Sequence, residues 1–248
     1  MLSTIDLLGH SDHSGSNAAT YCKLISQFFP GSYGTYPPVS NLAQIGSYGN
    51  FKDGIFTLVG QLCDYNGQGS ISYNNPETTP SSQNINYTKG KSTTVKWEMK
   101  GGVKTIVEEF DTAVDVDAGI DYTFSESNSL MFCGDSFFQT VIDPDPADFY
   151  AKIWPMLKGW DDDWVIINQV LECSNFVYVD SSNSNSVFSI CGSALALGDF
   201  GEGKISSALS IENDSNLNLK LTGYSNPGIF GVGLIKYDHH NNGKINFL

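Results

Sequence analysis

An α+β fold with a largely antiparallel sheet is what this sequence of 248 residues predicts, and three observations carry that prediction. Strict apolar–polar alternation recurs along the chain, helix signals are few and short, and the two kinds of signal never settle into the βαβ rhythm of a parallel sheet. With 40% hydrophobic and 12% aromatic residues the chain can bury a core, which excludes general disorder. Neither a linker nor an internal repeat interrupts it, so residues 1–248 are read as one domain, with 238–248 a short polar tail.

The formal net charge of −14 comes from 27 acids against 13 bases, and all of those bases are lysine. Phosphate neutralisation and base recognition need cations, so nucleic acid is excluded as a partner. No apolar run approaches the ~20 residues of a membrane-spanning helix. The first ten residues lack a basic n-region and carry Asp6 within their apolar stretch, so a cytosolic start is expected. The five cysteines, Cys22, Cys63, Cys133, Cys173 and Cys191, are scattered without a metal-like spacing. Read by themselves they are either free buried thiols or one side of a redox-sensitive intermolecular bridge.

In chain order, residues 20–29 place Tyr21, Leu24, Ile25 and Phe28 on one helical face, and Pro30-Gly31 ends that helix. Residues 31–50, rich in Gly, Tyr and Pro, read as irregular; 54–63 (G-I-F-T-L-V-G-Q-L-C) as a buried strand; and 64–91 as a long polar loop. Alternation returns at 94–100. It is strongest at 112–124 (T-A-V-D-V-D-A-G-I-D-Y-T-F), where Val114, Val116, Ala118, Ile120, Tyr122 and Phe124 share one parity and Asp115, Asp117 and Asp121 the other. Residues 125–128 supply turn chemistry, and 129–133 are expected to return as the partner strand. Such a two-faced hairpin suits either a soluble core or the wall of a transmembrane β-barrel.

Asp145-Pro146 opens a helix that carries Phe149, Ile153 and Trp154 and ends near Gly159. The run 164–173 (W-V-I-I-N-Q-V-L-E-C) reads as a central strand, followed by strands at 176–179, 187–197, 204–211, 217–221 and 228–237.

Tests for chemistry give little. Gly134-Asp135-Ser136 imitates a hydrolase block without the α/β context that block needs. His10, His13, His239 and His240 sit near the two ends without a third metal ligand. Residues 238–245 imitate the start of an EF-hand loop that has no closing glutamate. No catalytic residue, cofactor or metal is expected, and the chain is read as a non-enzyme.

The order of motifs in the second half carries a resemblance. A helix with W-P-M-L-K-G leads into D-D-W-V-I-I-N-Q-V-L-E-C, then a long polar hairpin, then L-K-L-T-G-Y-S-N-P-G-I-F-G-V-G-L-I-K-Y. This is similar to the pore-forming domain of gasdermins, in which a short helix precedes an L-Y-V-V-x-E-V-L-like strand and a T-x-x-x-G-x-x-L-A-F-x-V-x-x-L-like strand closes the domain. Trp164, Val165, Ile166, Gln169, Val170 and Leu171 take the first pattern; Gly228, Ile229, Phe230, Val232 and Leu234 take the second. Without a counterpart of the inhibitory C-terminal domain of vertebrate gasdermins, the chain resembles the short gasdermins of bacteria and the cell-death regulators of fungi.

The resemblance implies a single domain with two convertible β-hairpin segments. The protein would rest in the cytoplasm, oligomerise into a large ring at the cell membrane and cause lytic cell death. The first hairpin, about 108–133, would turn Val114, Val116, Ala118, Ile120, Tyr122 and Phe124 to lipid. The second, about 172–221, would use Leu195, Leu197, Ile205, Leu209 and Ile211.

Lys23, Lys89, Lys91, Lys96, Lys100 and Lys104 are the candidates for acidic lipid heads, with a lysine-guarded strand edge as the other reading of the cluster. Implied partners are membrane lipids, further copies of the chain, a resting dimer among them, and a paralogue. A dimer bridged through some of the five cysteines and opened by reduction is one expected trigger. The alternative to a pore-former is a soluble, lectin-like β-rich binding module that uses the Tyr/Asn/Gly-rich loops.

Overall fold

The structure is a computed structural model, and it describes residues 16–38, 44–67, 77–81, 84–89, 96–99, 117–142, 153, 157, 159–201, 204–223, 227–238 and 244–247. The architecture is α+β, largely antiparallel, with short helices, as the sequence predicts. The sequence reading placed residues 1–248 in one domain; the chain packs as two compact units, each assembled from three separate stretches. The first comprises Met1–Asn17, Asn84–Asp135 and Ser174–Pro227, the second Ala18–Gln83, Ser136–Cys173 and Gly228–Leu248.

In the second unit, helix α1 (Asn17–Phe28) runs on from Ala18 and buries the predicted face through Tyr21, Leu24 and Ile25. The Tyr21 hydroxyl donates to the Phe230 carbonyl at 3.0 Å. Strands β1 (Tyr33–Gly34), β2 (Ser47–Lys52) and β3 (Ile55–Gln61) follow. Their sheet runs β1, β13 (Gly228–Asp238), β9 (Trp164–Ser181), β2, β3, all antiparallel. The apolar run beginning at Trp164 is central, as expected: β9 lies between β13 and β2 and buries Val165, Ile166, Ile167, Val170 and Leu171.

Four expectations for this unit are corrected, the first being the long polar loop read over 64–91, which holds a strand at Glu77–Ser81. Residues 31–50 are not irregular throughout but hold β1 and most of β2. Residues 54–63 do not form a buried strand: β3 is the last strand of the order, with Phe56 as its one buried large side chain. Asp53 (φ 51°) and Gly54 (φ 83°) turn β2 back into β3. That Asp-Gly pair is a hairpin signal the hydrophobic count overrode. A Cβ on Gly54 would also lie 2.6 Å from the Ala18 carbonyl oxygen, so the turn fits against α1 only as glycine. Lastly, the polar tail includes β14 (Lys244–Phe247), which pairs with β13. The Asp145-Pro146 helix start lies outside the described residues; of that helix, Ile153 is helical and buried.

This unit's core is aromatic. Tyr48, Tyr65, Trp160 and Trp164 stand with ring centroids 5.1–5.5 Å apart in tilted and edge-on pairs, packed with Leu62, Ile142, Ile153, Leu157, Ile166 and Ile235. Edge-on and offset packing suits the ring quadrupole and adds about 0.5–1.5 kcal/mol per pair to ordinary burial. Strand β4 (Glu77–Ser81) pairs with residues 137–141 of β8 (Ser129–Val141).

In the first unit, β5 (Ile85–Lys89) pairs with residues 130–134 of β8, and β12 (Leu219–Gly223) with 176–180 of β9. A four-stranded sheet runs β11 (Ser210–Ser215), β10 (Ser186–Ser193), β7 (Asp117–Phe124), β6 (Lys96–Met99). Helix α2 (Ala194–Gly201) leaves β10, and residues 204–209 cross from it to β11 as a non-repetitive strap.

Candidate membrane-inserting segments

β7 holds the candidate lipid-facing residues of the first hairpin that the structure describes. Val114 and Val116 lie outside the described residues, and Ala118 is placed by its backbone alone. Ile120 and Phe124 are buried and Tyr122 is half-buried, so the predicted apolar parity faces a core. The expected pairing is corrected. Residues 129–133 do not return beside β7; they open β8, while β7 pairs with β6 and with the full length of β10. Turn chemistry at 125–128 is present, with Asn128 at φ 54°, but a turn fixes only a change of direction and not the sheet the chain enters next. The acidic parity is not simply wet either: Asp121 accepts a hydrogen bond from Ser189 of β10 at 2.5 Å, and Ser189 is buried.

The second candidate segment differs more. The strand expected over 187–197 ends at Ser193, whose hydroxyl accepts from the Ala196 amide at 3.2 Å and so caps α2. In a helix, positions two apart lie on nearly opposite faces. Leu197 is accordingly fully buried while Leu195 is 77% exposed, and the pair shares no face. The strand expected over 204–211 is likewise the strap followed by the start of β11. Within the strap Ile205 and Leu209 are buried, and Ile211 beyond it is half-buried.

These residues converge. Ile120, Phe124, Leu197, Ile205 and Leu209 share one core cluster with Met131, Cys133, Val177, Val179, Phe188, Ile190, Ala196 and Phe200, and Tyr122 and Ile211 pack against it. Tyr122 stacks on Phe188 at 5.1 Å with 10° between the ring planes. Of the eight candidate lipid-facing side chains that are described, seven meet in this core and only Leu195 stays outside. Each buried Leu, Ile or Phe contributes about 1.5–3 kcal/mol relative to water, a gain that hydrocarbon also provides.

One polar clasp holds the strap, and the sequence reading missed it. Asp135 of β8 accepts the Ile205 backbone N–H at Oδ2 (2.7 Å) and the Asn175 amide at Oδ1 (2.7 Å). The G-D-S tripeptide thus supplies a strap-holding carboxylate from mid-strand, and Ser136 follows it at φ 58°. No local signal marks this role, because the two partners lie 40 and 70 positions away. Beside the strap is a half-open groove of about 110 Å³ lined by Ile205, Ser206, Leu209, Phe176, Val177 and Thr222. At the opposite margin, a Cβ on Gly192 would stand 2.8 Å from the Ala208 carbonyl oxygen, so the strap closes over β10 only where a glycine makes room.

The lysine candidates are only partly described. Lys23 is exposed on α1; Lys89 is half-buried on β5, where desolvation lowers its pKa and Glu126 acts in the opposite direction. Lys96 is placed by its backbone on β6, and Lys91, Lys100 and Lys104 lie outside the described residues.

All five cysteines are free thiols. Cys133 and Cys173 are buried in this conformation. Cys22 and Cys191 are half-buried, and Cys63 is exposed. Desolvation raises the Cys63 pKa, with Asp64 adding to the shift, and burial pushes Cys22 up to about 11. Both thiols therefore hold little thiolate at neutral pH. Among the described residues no group of His, Cys, Asp and Glu could hold a metal ion, and no helix is long and apolar enough to cross a membrane.

No family model matches the chain, and no curated protein matches it. Among solved structures it is similar to a bacterial gasdermin from Bradyrhizobium tropiciagri, at 11% sequence identity, with 97% of this chain and 93% of that one covered and a TM-score of 0.35. A likeness this distant transfers no residue role.

Proposed function

We propose that this protein is a pore-former. It rests folded in the cytoplasm, and on activation it assembles into a ring at a membrane, inserting the β7 segment and the segment from α2 through β11 as β-hairpins, with lytic cell death as the outcome. The observation that carries this reading is the shared core: seven candidate lipid-facing side chains drawn from two remote stretches cover one another. Such an arrangement keeps both apolar faces out of water at rest, and opening it in a bilayer exchanges one apolar surrounding for another. The opposite parity of β7, with Asp117, Gly119, Asp121 and Thr123, suits a water-filled lumen. Spanning needs ~9–11 residues per strand, and α2 and the strap must become extended to provide them.

Dye release from liposomes tests this, with lipid charge varied and with reductant present or absent. Release is expected on at least one composition. Release only after reduction would assign the trigger to a thiol bridge, for which Cys63 is the exposed residue. A folded chain that releases nothing under any condition, even with the Asp135 clasp removed, would overturn the proposal. The lectin-like reading, tested by a ligand screen, would replace it.

A further inference from the structure

We propose that the buried hydroxyls of Ser181 and Ser186, closed on the Asn216 carbonyl, form the fixed joint from which the segment between β10 and β11 opens, with the Asp135 carboxylate as the catch that releases first. This deepens the pore-forming reading and rests on it for what the opening serves; the joint itself can be measured in solution.

The chain leaves one sheet for the other and returns at a single place. β9 and β12 belong to one sheet, β10 and β11 to the four-stranded one. The outward crossing runs from Ser181 at the end of β9 to Ser186 at the start of β10, and the return from Ser215 at the end of β11 to Leu219 at the start of β12. Pairing sets the two crossings side by side, since Val187 lies opposite Ser215 and Asp180 opposite Leu219. Each crossing turns through an asparagine in the left-handed region, Asn185 (φ 60°) and Asn216 (φ 59°), a conformation that asparagine tolerates.

Hydroxyls tie the two turns together. The Ser181 hydroxyl donates to the Asn216 carbonyl at 2.7 Å, accepts from the Asn183 amide at 3.0 Å and lies 2.6 Å from the Ser186 hydroxyl. Ser186 in turn reaches the Asn216 and Asn183 carbonyls, each at 3.1 Å. Both serines are fully buried. Beside them the Asn218 backbone amide donates to the Asp180 carbonyl at 3.0 Å, and the Asn218 side chain donates to the Ser182 hydroxyl. A satisfied network shut off from water rigidifies what it joins, because opening it leaves buried polar groups unpaired.

The catch sits at the other end of the same stretch of β9. There Asp135 meets Asn175 and holds the strap by one backbone N–H, that of Ile205, beside the half-open groove. At about 3.3 Å per residue, Asn175 and Ser181 stand roughly 20 Å apart along the strand. The Lys204 amide bonds the Asp199 carbonyl, which ties the strap to α2, itself part of the segment that opens. Polar fastening to the rest of the unit is therefore slight at the Asn175 end and dense at the Ser181 end.

Hydrogen exchange of the full chain in solution tests this. Peptides covering 178–187 and 214–221 should exchange at least about 100-fold more slowly than 195–209. Asp135→Asn should speed 195–209 alone. Ser181→Ala with Ser186→Ala should bring the joint to within about 10-fold of the strap. Joint and strap exchanging together in the parent chain, the joint opening first, or Asp135→Asn speeding both equally would each overturn the proposal. A second arm pulses the exchange while the chain releases dye from liposomes of varied lipid charge, and 195–209 should label while the joint does not. Release with the joint labelled as fast as the strap would overturn the joint and leave the pore-forming reading standing. A folded chain that releases nothing, with the difference in solution intact, would count against that reading and support the joint alone.

Discussion

The two compact units bury their cores in different ways, and on the proposed pore-forming reading the difference separates a scaffold from a convertible element. In the second unit, β2, β9 and β13 close over an aromatic cluster in which Trp160 and Tyr65 are almost wholly covered. Its strands are held by long ladders, β13 against 165–173 of β9 above all. In the first unit the core is roofed by a helix of eight residues and a strap with no ladder of its own, held by the Asp135 carboxylate and by the Lys204 amide on the Asp199 carbonyl and lying beside a half-open groove. Elements held by few hydrogen bonds open at lower free energy than the global transition. A region that must refold belongs at that end of the scale, and a region that must survive refolding belongs at the other.

The largest effect is expected from Trp160→Ala. Removing a ring at the centre of the aromatic cluster costs about 3–5 kcal/mol, and calorimetry should show loss of the main transition with no productive gain in liposome leakage. Ile205→Ala comes next, at about 2–4 kcal/mol. Here the comparison predicts a different outcome: hydrogen exchange should rise first across α2 and residues 204–211, and leakage should increase. Uniform loss of protection throughout the chain would erase the distinction between the units.

Asp135→Asn sharpens it further. An amide keeps one acceptor but loses the charge-assisted bonds, so about 1–2 kcal/mol is expected, read as faster exchange of the Ile205 amide with the melting point little changed. The smallest effect concerns Cys22. Its thiol titrates near 9 when unfolded and near 11 when folded, so the folded state binds the extra proton between those values. Stability is therefore full below about pH 9 and declines as pH rises toward 11, and Cys22→Ser should flatten that slope in pH-dependent melts.

Parts of this were legible in the residues. The alternation at 117–124 gave the buried parity of Ile120 and Phe124, and the unbroken apolar run from Trp164 gave a central strand. Leu195 and Leu197 show where such reading stops. Their spacing satisfies a strand, but Ser193 caps a helix there, and a serine among small and apolar residues is too weak a signal to override the period. Residues 54–63 failed for another reason: hydrophobicity states that a strand prefers to be covered, not what covers it. The Asp135 clasp was hidden because its partners are remote in sequence.

By itself, then, the sequence determined the α+β class, the parity of β7 and the position of β9, since backbone geometry ties a period of two to alternate faces and solvent sorts those faces by polarity. Only the tertiary structure decided that residues 129–133 leave β7 for another strand, that the candidate lipid faces cover each other, and that β3 ends its sheet exposed. Strand pairing and mutual burial are long-range choices between surfaces that look alike to a local pattern, and packing settles them.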